Sequence, residues 1–195
     1  MRKITFDTET TGLKPGSICQ LSYIICEDGV TSGVNMYFKV GYIDPGAQRV
    51  HGLSVEMLES LSGGAVFGAH TDKISRDFLS CGLWIAHNFT FDFSFLSAEF
   101  GRCGMRIAAA DSFCTMKRSA PVLRIPPKWQ GSAYKYPNLA ELISFFGISG
   151  DKIRSCAGEI FNIQVSDLQR HDARFDCAAT HLCYLKGAER GHWEL

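Results

Sequence analysis

The chain opens on a strand-like run, "ITFDTETTGL" at residues 4–13, that carries Asp7 and Glu9 two positions apart. Side chains along a strand alternate between faces, so both carboxylates leave the same face. Moving a lone carboxylate into a poorly solvated interior is costly, and two like charges side by side cost more. This strand must therefore end where charge is offset. A pair of solvated strand-end acids is one solution. A divalent cation is the other, since Asp and Glu oxygens suit Mg2+ or Mn2+.

The rest of the pattern predicts the sheet around that strand. Residues 2–8, 18–26 ("ICQLSYIIC") and 33–40 read as strands, with "EDGVTS" as the turn between the last two, and together predict an antiparallel meander. Ser54 reads as the N-cap of a short helix, and residues 68–81 as another helix. Residues 82–87 are a fourth strand. In 88–101, Phe89, Phe91, Phe93 and Phe95 alternate like a strand, while Phe89, Phe93, Leu96 and Phe100 fit helical spacing. Length, Asn88 as a cap and Gly101 as a terminator favour the helix. "MRIAAADSF" predicts a fifth strand ending near Asp111. A helix over 137–147 lies between Pro137 and Gly147, and the last clear helix spans roughly 173–187. Strands followed by alternating helices and strands predict an α/β fold with a mixed sheet covered on both faces.

At 195 residues, with no repeat, linker or low-complexity tract, the chain is expected to form a single domain. No apolar run is long enough to span a bilayer, and no signal-peptide pattern precedes the first strand. A cytoplasmic protein without membrane association is therefore expected. The eight cysteines form no Cys-x-x-Cys pair, and several lie in apolar runs. They read as reduced, buried thiols, with a disulfide or one reactive thiol as the alternative. Net charge is zero, but residues 112–140 contain no acid and hold Lys117, Arg118, Arg124, Lys128 and Lys135, interleaved with Trp129, Tyr134 and Tyr136. Such a segment can track a phosphate backbone and stack bases, or be a solvated loop. Lys128 and Lys135 are its candidate contacts.

Two further stretches complete the acid set. Asp92 stands among phenylalanines in "FTFDFSF", an unusual place for a merely surface acid. In "HDARFDCAATHLC", His171 and Asp176 are five apart and do not share a helix face. With Asp172 as N-cap, Asp176 falls in the second turn and His171 on the preceding loop. A loop histidine with a pKa near neutrality suits a general base.

In this order, "FDTETTGL", "HNFTFDFSFL" and "HDARFDCAAT" closely resemble the three motifs of the DEDD superfamily of 3′–5′ exonucleases. The His-x4-Asp form resembles the histidine-type (DEDDh) branch, which includes the proofreading epsilon subunit of bacterial DNA polymerase III. "RVHGLS" and "NLAELISFFGI" look like its secondary landmarks, and the resemblance runs from about residue 3 to about 186. It implies a ribonuclease H-like fold with a five-stranded mixed sheet. It implies that Asp7, Glu9, Asp92 and Asp176 bind two divalent cations, Mg2+ or Mn2+, and that His171 activates water. Thr10 and Leu13 fall where the family packs around the 3′-terminal nucleotide. Asn88 and Phe91 fall beside the second motif's acid, and read equally as a helix cap and a core aromatic. The implied activity is hydrolysis from a nucleic-acid 3′ end, here of DNA, single-stranded, releasing nucleoside 5′-monophosphates.

The residues do not distinguish DNA from RNA, because a 2′-hydroxyl is sensed by details of the site. A catalytically silent binding module is the rival of a different class, and the intact set of acids with His171 argues against it. The His-x4-Asp pair also argues against a ribonuclease H-type endonuclease. Residues 149–170 are longer than the family needs and read as an insertion before the catalytic histidine. A DNA polymerase or another replication or repair protein is a possible partner; oligomeric state is open.

Overall fold

The computed structural model describes residues 1–127, 133–165, 168 and 170–194. A five-stranded sheet runs β1 (Lys3–Thr10), β2 (Ile18–Glu27), β3 (Val30–Tyr37), β4 (Leu83–Ala86) and β5 (Ser112–Cys114) in chain order, arranged β3-β2-β1-β4-β5 in space. The first three pair antiparallel, as the meander predicts, and β4 and β5 join in parallel, so the sheet is mixed.

Eight helices flank it among the described residues. These are α1 (Pro45–His51), α2 (Val55–Leu61), α3 (Thr71–Leu79), α4 (Phe89–Arg102), α5 (Thr115–Leu123), α6 (Leu139–Phe146), α7 (Gly150–Phe161) and α8 (Ala173–Glu189), with a 3-10 turn over Phe67–His70. Strand alternation decides which face each buries. Ile4 and Phe6 point to a core shared with Phe78 of α3 and Phe95 and Phe100 of α4. Thr5 points the other way, where its Oγ1 lies 3.2 Å from His181 Nδ1 on α8. Ile24 joins that second core, with Ile153 and Ala157 of α7 and Cys177 and Ala178 of α8. Fully burying such side chains stabilises by roughly 1.5–3 kcal/mol each.

Local chemistry sets the boundaries. Asn138 and Glu141 form a capping box at the start of α6, and Gly147 (φ 67) ends it in the left-handed region. Ser54 caps α2 and Asp172 caps α8. The hairpin between β2 and β3 closes at Asp28 (φ 49) and Gly29 (φ 83), the positive-φ pair that tight hairpins require. It is tighter than "EDGVTS", so β3 starts at Val30 and ends at Tyr37, three residues earlier than expected.

Three expectations need correction. Residues 105–111 of "MRIAAADSF" lie outside the ladder, and β5 is the three residues after Asp111. Its length is set by β4, only four residues long, which offers partners from Trp84 to Ala86 alone. Gly101 does not end α4; the helix runs to Arg102, and Gly104 (φ 71) turns the chain. Helices α1 and α5 had no place in the sequence reading. Helix α1 buries no residue and opens on Pro45-Gly46, which reads as a turn; α5 contains Pro121. All eight cysteines are free, and no described helix is long and apolar enough to cross a membrane.

Candidate active site

The site forms where β1 outruns its parallel neighbour. Strand β4 pairs with β1 only from Lys3 to Thr5, and the chain then turns at Asn88 into α4. The backbone of β1 beyond that point has no strand on this side. Asp92, in the first turn of α4, fills the place: its Oδ1 accepts from the Thr8 amide at 3.1 Å and from Thr8 Oγ1 at 2.8 Å. Asp92 is 3% exposed.

On the opposite face, Asp7 and Glu9 point towards α8, which supplies Asp176. One carboxylate oxygen from each of the three lies within 4.8 Å of the others, a grouping found among the described residues. Strand β2 anchors this helix. Gln20 Oε1 accepts from the Ala173 amide at 3.3 Å, and its Nε2 donates to Asp172 Oδ1 at 3.0 Å. Asp92, held on Thr8, is not one of these three acids.

Electrostatics shows what this costs. Burial pushes the Asp7 carboxyl well above its ordinary value, and Asp92, Asp176 and Glu9 push it further. Glu9 is raised to about 9, by burial first and then by Asp176 and Asp92. Burial raises Asp92 to about 7, although the two Thr8 bonds favour its charged form. Burial also raises Asp176, against the pull of His171. Hard, anionic oxygens crowded in a partly desolvated cleft fit a divalent cation, which inverts the repulsion.

His171 lies just outside α8, as the spacing predicts. Its backbone sits at φ 67, its amide donates to Asp176 Oδ2 at 3.2 Å, and its Nδ1 is 3.9 Å from the same oxygen. The side chain is 44% exposed.

Beside the acids is a cavity of about 390 Å3 lined by Glu9, Thr10, Leu13 and Phe91, with Val50 and His51 of α1 closing it. Leu13 is 90% exposed, a large apolar side chain offered to solvent at the mouth. Asn88 takes the left-handed conformation that asparagine tolerates, and its side chain makes no cap bond, contrary to the capping expectation. Lys135 Nζ is paired with Glu141 Oε1 at 2.5 Å; Lys128 and Trp129 lie outside the described residues. Thr8 and His51 escaped the sequence reading as site residues. Thr8 sits inside the Asp-x-Glu motif itself. His51 sits in "RVHGLS", where the helix α1 that carries it gave no periodic signal.

The exonuclease family model matches residues 4–182. The DNA polymerase III subunit epsilon of Rickettsia felis is 35% identical over 108 residues, which are 51% of this chain and 44% of that protein. The subunit of the same name from Salmonella typhimurium is 29% identical over 133 residues, 63% of this chain and 53% of that protein. The chain thus spans about half the length of the curated relatives it matches. Among solved structures, exonuclease I superposes with a TM-score of 0.72 at 16% identity, over 96% of this chain and 41% of that one. A zinc-bound complex of Escherichia coli exonuclease I with single-stranded DNA gives 0.68 at 18% identity, over 97% and 41%. These likenesses show the fold, a ribonuclease H-like five-stranded sheet with flanking helices. The family match, by contrast, runs from Ile4 in the central strand to Leu182 in the helix that brings Asp176 to it, and so takes in every acid of the cleft: the chain belongs to the exonuclease family.

Proposed function

We propose that the chain hydrolyses phosphodiester bonds from the 3′ end of single-stranded DNA and releases nucleoside 5′-monophosphates. The observation that carries this reading is the convergence of Asp7, Glu9 and Asp176 within 4.8 Å of one another, with Asp92 bonded to Thr8, which lies between the two acids of β1. The epsilon relatives and the single-stranded DNA complex of exonuclease I support it.

In this reading Asp7, Glu9, Asp92 and Asp176 hold two divalent cations, Mg2+ or Mn2+. When bound, such a pair would supply a nucleophilic water near neutral pH and offset the charge that develops at the phosphate. His171 takes the proton of the attacking water, and Asp176 orients and stabilises the imidazolium that forms. The water oxygen bonds to phosphorus, and the bond to the 3′ oxygen of the preceding nucleotide breaks. Thr10, Leu13, Asn88 and Phe91 receive the terminal nucleotide, and His51 closes the cavity behind it. Lys128 and Lys135 are backbone contacts further along the strand, with Lys135 exchanging Glu141 for phosphate. A cytoplasmic location and a DNA polymerase partner belong to the same proposal, the partner resting on the epsilon relatives alone.

End-labelled single-stranded DNA, duplex DNA and RNA of one sequence, each with Mg2+, Mn2+ or EDTA, test it together. Single-stranded DNA is expected to shorten fastest from its 3′ end with either metal and to stay intact with EDTA. Faster shortening of RNA would make the chain an exoribonuclease. Binding without hydrolysis of any of the three would make it a silent module.

A further inference from the structure

We infer that Glu99 and Arg102, on the far end of the helix that carries Asp92, are positioning residues that lock loop 11–17 and with it the nucleotide-binding cavity. This rests on the proposed function and assigns two residues to the binding half of that site.

The argument starts at an irregularity in the central strand pair. Glu9 pairs with Gln20, but Thr10 pairs with Ile18, so Cys19 is an extra residue and β2 bulges opposite the two site residues. Beyond the bulge the buried Ile18 amide donates not to a strand but to Glu99 Oε1, at 2.8 Å. Glu99 is 6% exposed, and its other oxygen holds Arg102 Nη2 at 2.9 Å. That same nitrogen donates to Gly16 O at 2.6 Å. One buried carboxylate therefore ties the returning limb of the loop to α4 at two places. A buried carboxylate outside the cation group needs such partners to remain there.

The loop has little freedom of its own. The Thr11 amide donates to Ser17 O at 2.9 Å, and the Ser17 amide donates to Thr11 Oγ1 at 3.0 Å. A Cβ on Gly16 would lie 2.6 Å from Thr11 Oγ1, so a larger residue there would have to displace that hydroxyl. The Asp44 amide, at the start of α1, donates to Thr11 O at 2.9 Å, which joins the cavity's two walls. Leu13 gets no such support from burial, being 90% exposed. Its place at the mouth is set by the loop, whose returning limb is fixed to α4 by Glu99 and Arg102. Helix α4 thus delivers Asp92 to the cations at one end and fixes the nucleotide-binding loop at the other.

Three variants separate this role from a general one, with amide hydrogen exchange as a readout that needs no catalysis. In Glu99→Leu the Ile18 amide loses its acceptor, and its exchange is expected to quicken about tenfold or more. The KM for a single-stranded oligonucleotide rises about tenfold while kcat changes less than about threefold, the pattern of lost substrate binding. Mn2+ affinity measured by calorimetry without DNA stays within about twofold, because Asp7, Glu9 and Asp176 are untouched. Arg102→Met, at the half-exposed partner, keeps the fold and gives a smaller rise in KM. Glu99→Gln keeps an acceptor for Ile18 and restores both KM and exchange towards wild type. Wild-type exchange and KM in Glu99→Leu overturn the inference. So does an equal fall in kcat, Mn2+ affinity and substrate binding. Should the wild-type chain not cleave or bind single-stranded DNA, the proposed function fails while the exchange comparison still decides whether the clamp exists.

Discussion

Asp92 and Asp176 hold matching posts, each near the start of a helix and each aimed at the end of β1, yet the protein treats them differently. Asp92 is buried and takes two hydrogen bonds from Thr8. Among the described residues Asp176 has one, from the amide of a loop residue, and its neighbour His171 is half-exposed. One acid is part of the fold as well as the site. The other belongs to a margin that β2 holds by polar contacts through Gln20, bonded to Asp172 and to the Ala173 amide. In the proposed mechanism the cleft is then tied by more bonds where the strand ends than beside His171.

The largest effect should come from removing either acid, and the contrast should show in stability. Asp92→Ala and Asp176→Ala are each expected to cut Mg2+-dependent turnover by about 10³-fold, the several kcal/mol that a cation's charge stabilisation supplies. In the chelated protein, Asp92→Ala leaves the buried Thr8 amide without its acceptor and lowers unfolding stability by about 1–3 kcal/mol. Asp176→Ala relieves repulsion and leaves stability unchanged or higher. His171→Ala should follow Asp176, losing about 10²–10⁴-fold in turnover with no loss of fold. Urea unfolding in EDTA beside single-stranded DNA assays reads both quantities; equal stability losses in Asp92→Ala and Asp176→Ala would erase the contrast.

The same contrast marks what the sequence could disclose. The face shared by Asp7 and Glu9 follows from period two, and His171 falls outside α8 because Asp172 is a good cap. The capping box at Asn138 is legible for the same local reason. What stayed hidden depends on partners far along the chain. That Thr8 would bond to Asp92 requires knowing that β4 stops at Ala86. The length of β5 depends on β4, not on "MRIAAADSF". Helix α1, with no buried residue, has no apolar period to betray it, so the cavity wall it forms was invisible. Glu99 reads as an ordinary polar position of an amphipathic helix until the bulge opposite Thr10 leaves it an amide to accept.

Metal removal and pH sharpen the comparison by a few kcal/mol. The folded, cation-free protein keeps carboxyl protons that the unfolded chain has already lost, with Asp92 at about 7 and Glu9 at about 9 against ordinary values of 3.8 and 4.5. Where the native state binds more protons, unfolding stability falls as pH rises. The stability linked to these protons is therefore full below about pH 4 and is lost as pH climbs through 7 and 9. Thermal unfolding in EDTA is expected to show a midpoint that declines from pH 6 to pH 9. Millimolar Mg2+ should raise the midpoint most at the alkaline end, where the carboxylates are free to bind it. A midpoint in EDTA that climbs over this range would mean that the four acids do not repel one another as their burial requires.

The smallest effect isolates the margin at His171. His171 holds φ 67 without being glycine, a conformation that costs an L-residue about 1–2 kcal/mol. Its amide bond to Asp176 helps to hold it there. Glycine relieves that strain but loses more conformational freedom on folding, about 0.5–1 kcal/mol. His171→Gly should therefore raise stability by up to about 1 kcal/mol. His171→Val, whose branched side chain resists positive φ, should lower it by a similar amount. Denaturant midpoints of the two variants decide the matter. Opposite shifts show that the backbone at His171 is strained. A gain in His171→Val equal to that in His171→Gly would mean the histidine side chain, rather than its backbone, is what the fold finds unfavourable.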